Sequence, residues 1–351
     1  MKDAVTQWHS GTADAGAPCR RLLRPGATVQ LRNCATAQLC HCVTMSAVSL
    51  PTLRPMRWLL ILFLAFPLSA ATFASHDGTV LHYDVIGKGE TVLLLSGGPG
   101  FSPDYLRPIA GSLGSEFRFI LLHQRGTGRS TVERYDASTM ALPLLVADLE
   151  ALRKHLELEK LTIAGHSFGG ILSMMYVRAH PERVAALALI DSGGPTLATV
   201  AKFTANLEAR YTKEEREQIK EWSDPQRVAG NRSRAVLELT KAKTAAYFAD
   251  RDKAKPLIDA MDERSFSEPV FWAIVQQMMV LDLREGLERL KAPVLVIHGR
   301  QDPLPSADEV HAAFPGSKLV WIEDAGHFPW IEQPRPFHQA LGQFLRESRK
   351  N

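Results

Sequence analysis

An apolar segment that runs directly into Gly-x-Ser-x-Gly, and from there into a helical run, constrains this chain more than any other feature. Leu161-Thr162-Ile163-Ala164 reads as a buried strand, Gly165-His166-Ser167-Phe168-Gly169 follows without a spacer, and Ile171 to Arg178 has helical character. A serine on a sharp turn between a strand and a helix is the context of a nucleophile elbow. Such a turn is too tight for ordinary side chains at its flanks, and Gly165 and Gly169 remove the obstructing Cβ atoms. The Ser167 hydroxyl is expected to project above the sheet edge. Taken alone, a serine is more often a turn or cap residue, so its partners decide the reading.

A serine hydroxyl is a weak nucleophile at neutral pH. It needs a base to take its proton, and the base needs a carboxylate to fix its tautomer and stabilise its cation. Asp302 follows the apolar strand Pro293-Val294-Leu295-Val296-Ile297, and His327 follows the next one, Leu319 to Ile322. The order Ser…Asp…His is the one a strand–elbow–helix fold uses. Ser167 is therefore read as nucleophile, His327 as general base and then acid, and Asp302 as the orienting carboxylate. The oxyanion is assigned to the backbone N–H groups of Phe168 and Gly98, the latter in the loop Ser96-Gly97-Gly98-Pro99-Gly100, where Pro99 has no N–H to offer.

The competitors rank lower. Asp191 also ends a strand and is the second-choice acid; Asp324 stands too near His327 in sequence to come first. His166 is expected to be turned away from the chemistry, packed or exposed. His123, His298 and His311 are read as structural or surface groups. Nothing has the spacing of His-Glu-x-x-His, so neither a metal nor another cofactor is implied.

Strands and helices alternate through the body. Strands are expected at Thr79–Ile86, Thr91–Leu95, Phe117–Leu122 and Val184–Ile190, with helices near Asp104–Leu113 and over Leu142–Leu158, the latter carrying Leu145, Leu149, Leu152 and Leu156 on one face. This rhythm predicts an α/β fold with a mostly parallel, doubly wound sheet whose loops at the carboxyl ends of the strands form the site. The rhythm stops between 195 and 279, where charged helical segments such as Lys213-Glu214-Glu215-Arg216-Glu217 predict an inserted helical cap. Core segments are thus expected at 75–194 and 280–351, the last closed by a helix over Phe337–Arg346.

The front of the chain differs. Residues 1–55 show no sustained period and are read as an extension outside the working protein. From Met56 a new pattern begins: Arg57, the apolar run Trp58 to Phe66, then Pro67-Leu68-Ser69-Ala70-Ala71. A charge, a short apolar run and small residues predict a signal peptide over 56–74, hence a secreted or periplasmic protein with no stable membrane association after cleavage. The run is shorter than the roughly 20 residues of a membrane span. Cys19, Cys34, Cys40 and Cys42 all precede Met56; their spacing fits no standard zinc knuckle, and the body has no thiol to mispair in an oxidising compartment. Residues 1–57 hold seven Lys/Arg against Asp3 and Asp14, so the net charge of +3 leaves the body slightly acidic, and no nucleic-acid partner is implied.

Together, Gly97-Gly98-Pro99-Gly100, Gln124-Arg125-Gly126-Thr127-Gly128-Arg129-Ser130, the elbow and the two partner loops resemble the α/β-hydrolase superfamily. More narrowly they resemble the prolyl iminopeptidase group of serine peptidases, over about residues 77 to 348. That resemblance implies an α/β-hydrolase fold and removal of N-terminal residues from peptides. It also implies cap carboxylates to hold the free α-amino group, for which Glu214, Glu217, Glu238 and Glu263 are available. Ser96, His123, and His166 with Phe168 depart from the group's usual residues. The elbow here resembles that of esterases and carbon–carbon bond hydrolases. The alternatives are a carboxylesterase or lactonase on small substrates, and a non-catalytic binding protein on a hydrolase scaffold. The partner expected is a small molecule or a peptide.

Overall fold

The computed structural model describes residues 69–349. One sheet of eight strands organises them: β1 (Ser69–Ala74), β2 (Val80–Gly87), β3 (Glu90–Leu95), β4 (Phe117–Leu122), β5 (Leu161–His166), β6 (Val184–Ile190), β7 (Val294–Gly299) and β8 (Lys318–Ile322). The spatial order is β1-β2-β4-β3-β5-β6-β7-β8. The pairs β1–β2 and β2–β4 are antiparallel, and every pairing from β4 onward through β3 to β8 is parallel.

The unbroken apolar runs follow from burial on both faces. In β3, Val92 and Leu94 pack on one side with Phe119, Ala188, Ile297 and Trp330, while Leu93 and Leu95 pack on the other with Ile163, Leu187 and Val296. The helices of the core are α1 (Arg107–Leu113), α2 (Leu142–His155) and α3 (Phe168–Ala179); Leu145, Leu149 and Leu152 of α2 are buried as their spacing predicts. Between β6 and β7 the chain forms α4 (Val200–Arg210), α5 (Lys213–Trp222), α6 (Pro225–Gly230), α7 (Arg232–Thr244), α8 (Lys255–Asp259) and α9 (Glu268–Met278). After β7 come α10 (Ala307–Ala313), α11 (Pro329–Glu332) and α12 (Pro334–Ser348).

β1 overlaps the end of the expected leader. The leader drawn over 56–74 lies outside the described residues as far as 68, but its last six residues form β1, with Ser69 opposite Val85 and Ala74 opposite Val80. Phe73 is buried against Tyr83 in the core. Small residues after a hydrophobic run read equally as a cleavage region and as an edge strand, and only the pairing partner separates them. The first described strand therefore includes residues 69–74, ahead of the boundary drawn at 75. The extension 1–55 and its four cysteines lie outside the described residues. Among those described, no helix is long and apolar enough to cross a membrane.

Candidate active site

Ser167 follows β5 and precedes α3 with φ 55 and ψ −117, a left-handed conformation costly for a residue with a Cβ. Its backbone is held on both sides: the N–H donates to Ile190 O at 3.0 Å, and its carbonyl accepts from Gly170 N–H at 3.0 Å and Gly193 N–H at 3.1 Å. Gly169 lets α3 approach β3. A Cβ there would meet Leu95 O at 2.3 Å, a backbone atom that cannot step aside. Gly169→Ala is expected to cost about 2–4 kcal/mol through displacement of α3, read as a fall in the midpoint of chemical denaturation with unchanged slope.

Asp302 and His327 reach each other because two loops touch. Gln301 N–H donates to Ala325 O at 2.9 Å, and Arg300 N–H to Ile322 O at 2.9 Å. Gly299 allows this approach, since a Cβ there would lie 2.0 Å from Gly326 O. Asp302 and His327 are both buried, and His327 Nδ1 lies 2.8 Å from Asp302 Oδ2. With the proton on Nδ1, the Nε2 lone pair is free to act as a base. Asp302 Oδ1 accepts from Leu304 N–H at 2.8 Å. Burial works against the Asp302 anion, but His327 and its hydrogen bond outweigh it and hold the carboxyl below its ordinary range. Among the described residues, His327 uses Nδ1 on Asp302 and its carbonyl on His166, and neither Ser167 Oγ nor His327 Nε2 forms a hydrogen bond, to each other or to another group.

His166 is packed, and it does more than fill space. Its ring lies 4.6 Å from that of His327. Nε2–H donates to His327 O at 3.0 Å, so Nδ1 must accept, and Tyr105 O–H donates to it at 2.7 Å. Tyr105 Oη in turn accepts from Gly97 N–H at 2.7 Å. Burial, then the proximity of His327, push the His166 ring well below ordinary histidine, in keeping with this neutral tautomer. One relay thus joins the glycine loop, the elbow and the histidine loop.

Gly98 and Phe168 border the same serine: Gly98 has φ 113 and follows Gly97, whose missing Cβ would lie 2.8 Å from Ser167 Cβ, while Phe168 opens α3. Neither N–H is engaged by an acceptor among the described residues. The Gln-Arg-Gly stretch frames this loop. Gln124 Nε2–H donates to Ser96 O at 2.8 Å, and buried Arg125 makes a two-pronged pair with Asp148 of α2 at 2.6 and 2.8 Å.

The other candidates fall elsewhere. His123 is buried and accepts Arg129 N–H at 3.2 Å, His311 contacts Ser317 Oγ at 2.7 Å, and Asp324 is exposed. His298 lies behind Asp302 and donates from Nε2 to Leu304 O at 2.8 Å. Glu214 and Glu217 are exposed, Glu263 is exposed along a cleft with Gly126, Gly128 and Phe266, and Glu238 faces another cleft with Glu215, Glu221 and Trp222.

Two residues at the site carried no sequence signal. Tyr247, between α7 and α8, places its ring 5.4 Å from His327, and its carbonyl accepts His327 N–H at 2.9 Å. Glu332 ends α11 almost fully buried. Its Oε1 accepts from Ala249 and Asp250 N–H at 2.8 and 3.0 Å, and its Oε2 from Gly326 N–H at 2.7 Å. It joins the segment above the site to the loop that carries His327.

The model of the alpha/beta hydrolase fold family matches residues 90–334, and the chain belongs to that family. It is similar to the AB hydrolase superfamily protein YclE of Bacillus subtilis, 26% identical over 77% of this chain and 96% of that protein. It is also similar to a proline iminopeptidase of Saccharolobus solfataricus, 24% identical over 75% of this chain and 87% of the relative. Among solved structures, a thermophilic esterase from Thermogutta terrifontis superposes with a TM-score of 0.60 at 24% identity, covering 80% of this chain and 99% of its own.

Proposed function

We propose that the chain is a serine hydrolase that cleaves small carboxylic esters with an apolar acyl group through an acyl-enzyme. The observation that supports this reading is the Asp302–His327 pair at 2.8 Å, with the His327 ring 4.6 Å from that of His166, which precedes Ser167 at the end of β5. Ser167 Oγ attacks the carbonyl carbon as His327 Nε2 takes its proton. The developing oxyanion is received by Phe168 and Gly98 N–H, and the imidazolium returns the proton to the leaving oxygen. Water then repeats the sequence on the acyl-enzyme. An imidazolium cannot accept a proton, so activity falls on the acid side.

Two observations favour an apolar ester. The wall next to the serine is aromatic, with Phe101 3.3 Å from the position a Gly98 Cβ would take and Tyr247 beside His327. Of the four glutamates that would hold a free α-amino group, Glu214 and Glu217 are exposed on α5 and Glu238 faces a separate cleft with Glu215 and Trp222. A second reading, removal of N-terminal proline from peptides, draws support from the Gly-Gly-Pro-Gly and Gln-Arg-Gly loops and from the proline iminopeptidase relative. Comparing kcat/KM for p-nitrophenyl butyrate and proline β-naphthylamide separates them. The ester reading expects at least about 100-fold preference for the ester; preference for the amide with a free amine would establish the peptidase instead.

A further inference from the structure

Asp191, at the end of β6, is an ionisable group the mechanism above leaves unused. It is fully buried, with φ 41 in the left-handed region. Oδ1 accepts from Gly299 N–H at 2.8 Å, whereas Oδ2 is buried without a hydrogen-bond partner among the described residues. One oxygen of Asp191, one of Asp302 and one ring nitrogen of His327 all lie within 4.8 Å of one another. Two carboxylates this close, away from water, do not both ionise. Asp302 holds the negative charge, because it already receives hydrogen bonds from His327 and Leu304.

The other groups facing the pair do not supply Asp191 with a cation. His298 Nε2 lies 3.3 Å from Asp302 Oδ2, and Nδ1 lies 4.0 Å from Asp191 Oδ1, but burial disfavours the charged form of that ring. Glu332 adds a further negative charge, and Arg210 acts on Asp302. Burial first, and then the Asp302 anion, push the Asp191 carboxyl well above its ordinary range.

We propose that Asp191 carries a proton at neutral pH and donates it in a hydrogen bond to Asp302. It is then a positioning residue that sets how much negative charge His327 faces. This role rests on the reading of Ser167, His327 and Asp302 as a triad.

The test is the pH dependence of kcat/KM on p-nitrophenyl butyrate for the wild-type chain, Asp191→Ala and Asp191→Asn, each counted by fluorophosphonate titration. Removing the donor in Asp191→Ala leaves Asp302 a stronger anion and is expected to move the acid limb up by about half to one pH unit. The amide N–H of Asp191→Asn replaces the donated proton and is expected to bring the limb back. An ionised Asp191 requires the opposite sign: both variants lose an anion, and both limbs move down. That result, or three coincident limbs, would overturn the role. Because Asp191→Ala strands Gly299 N–H and can impair folding, a second measurement uses the wild-type chain. At pH 7 its infrared spectrum is expected to hold the C=O stretch of a protonated carboxyl, shifted in deuterated water and missing in Asp191→Asn; its absence from the wild-type spectrum overturns the role. A wild-type chain that takes up no fluorophosphonate overturns the triad instead, and the infrared band still decides whether Asp191 holds a proton.

Discussion

Replacing Ser167 by alanine is expected to lower kcat by roughly 10⁴–10⁶-fold with little change in KM. The substitution deletes the attacking oxygen and nothing that binds substrate in the ground state. At φ 55 alanine meets the same backbone strain as serine, so the fold is expected to persist. His327→Ala should lose a similar factor, since the hydroxyl without a base is nearly inert, and the double variant should lose little more than either single one, because the two residues act as a unit. Steady-state kinetics on p-nitrophenyl butyrate, with circular dichroism to verify folding, measures all three. Losses that multiply would show that Ser167 and His327 act independently.

The largest expected effect on stability comes from Glu332→Ala. Its carboxylate accepts three backbone N–H groups, from Ala249, Asp250 and Gly326. A buried donor left unpaired costs about 1–3 kcal/mol, so the loss should reach about 3–5 kcal/mol once water reaches some of the donors. That corresponds to a fall in Tm of roughly 8–15 °C for a body of this size. Glu332→Gln keeps one acceptor oxygen and should lose about half as much. The effect should extend to catalysis, because Gly326 precedes His327 and the freed loop would carry the imidazole away from Asp302. Thermal denaturation and kcat should therefore fall together in Glu332→Ala and recover together in Glu332→Gln. A stable, fully active Glu332→Ala would remove the clamp from this picture.

The parts of the site that were legible in the sequence are those fixed by local backbone geometry. Ser167 stood out because an elbow needs a strand, two glycines and a helix within a dozen residues. Asp302 and His327 stood out because each follows an apolar strand. The sheet was legible because strands covered on both faces keep long apolar runs, as in Thr91–Leu95 and Val184–Ile190. Contacts made at long range were not. Tyr105 meets His166 across 61 positions, and Glu332 meets Ala249 across 83, with no periodicity to link either pair. The edge strand Ser69–Ala74 was hidden because its small, apolar residues match a leader's cleavage region, and pairing with Val80–Val85 leaves no mark on its own composition. Asp191 was ranked as the second acid from its place at a strand end; its unpartnered oxygen beside Asp302 becomes visible only in three dimensions.

The most direct measurement of the nucleophile's identity is mass spectrometry of the folded chain after treatment with a fluorophosphonate. One phosphonyl group per chain is expected, on the peptide that contains Ser167, with none on Ser167→Ala and little on His327→Ala. A folded chain that stays unlabelled, or one labelled at another residue, would contradict the assignment of Ser167 as the attacking group.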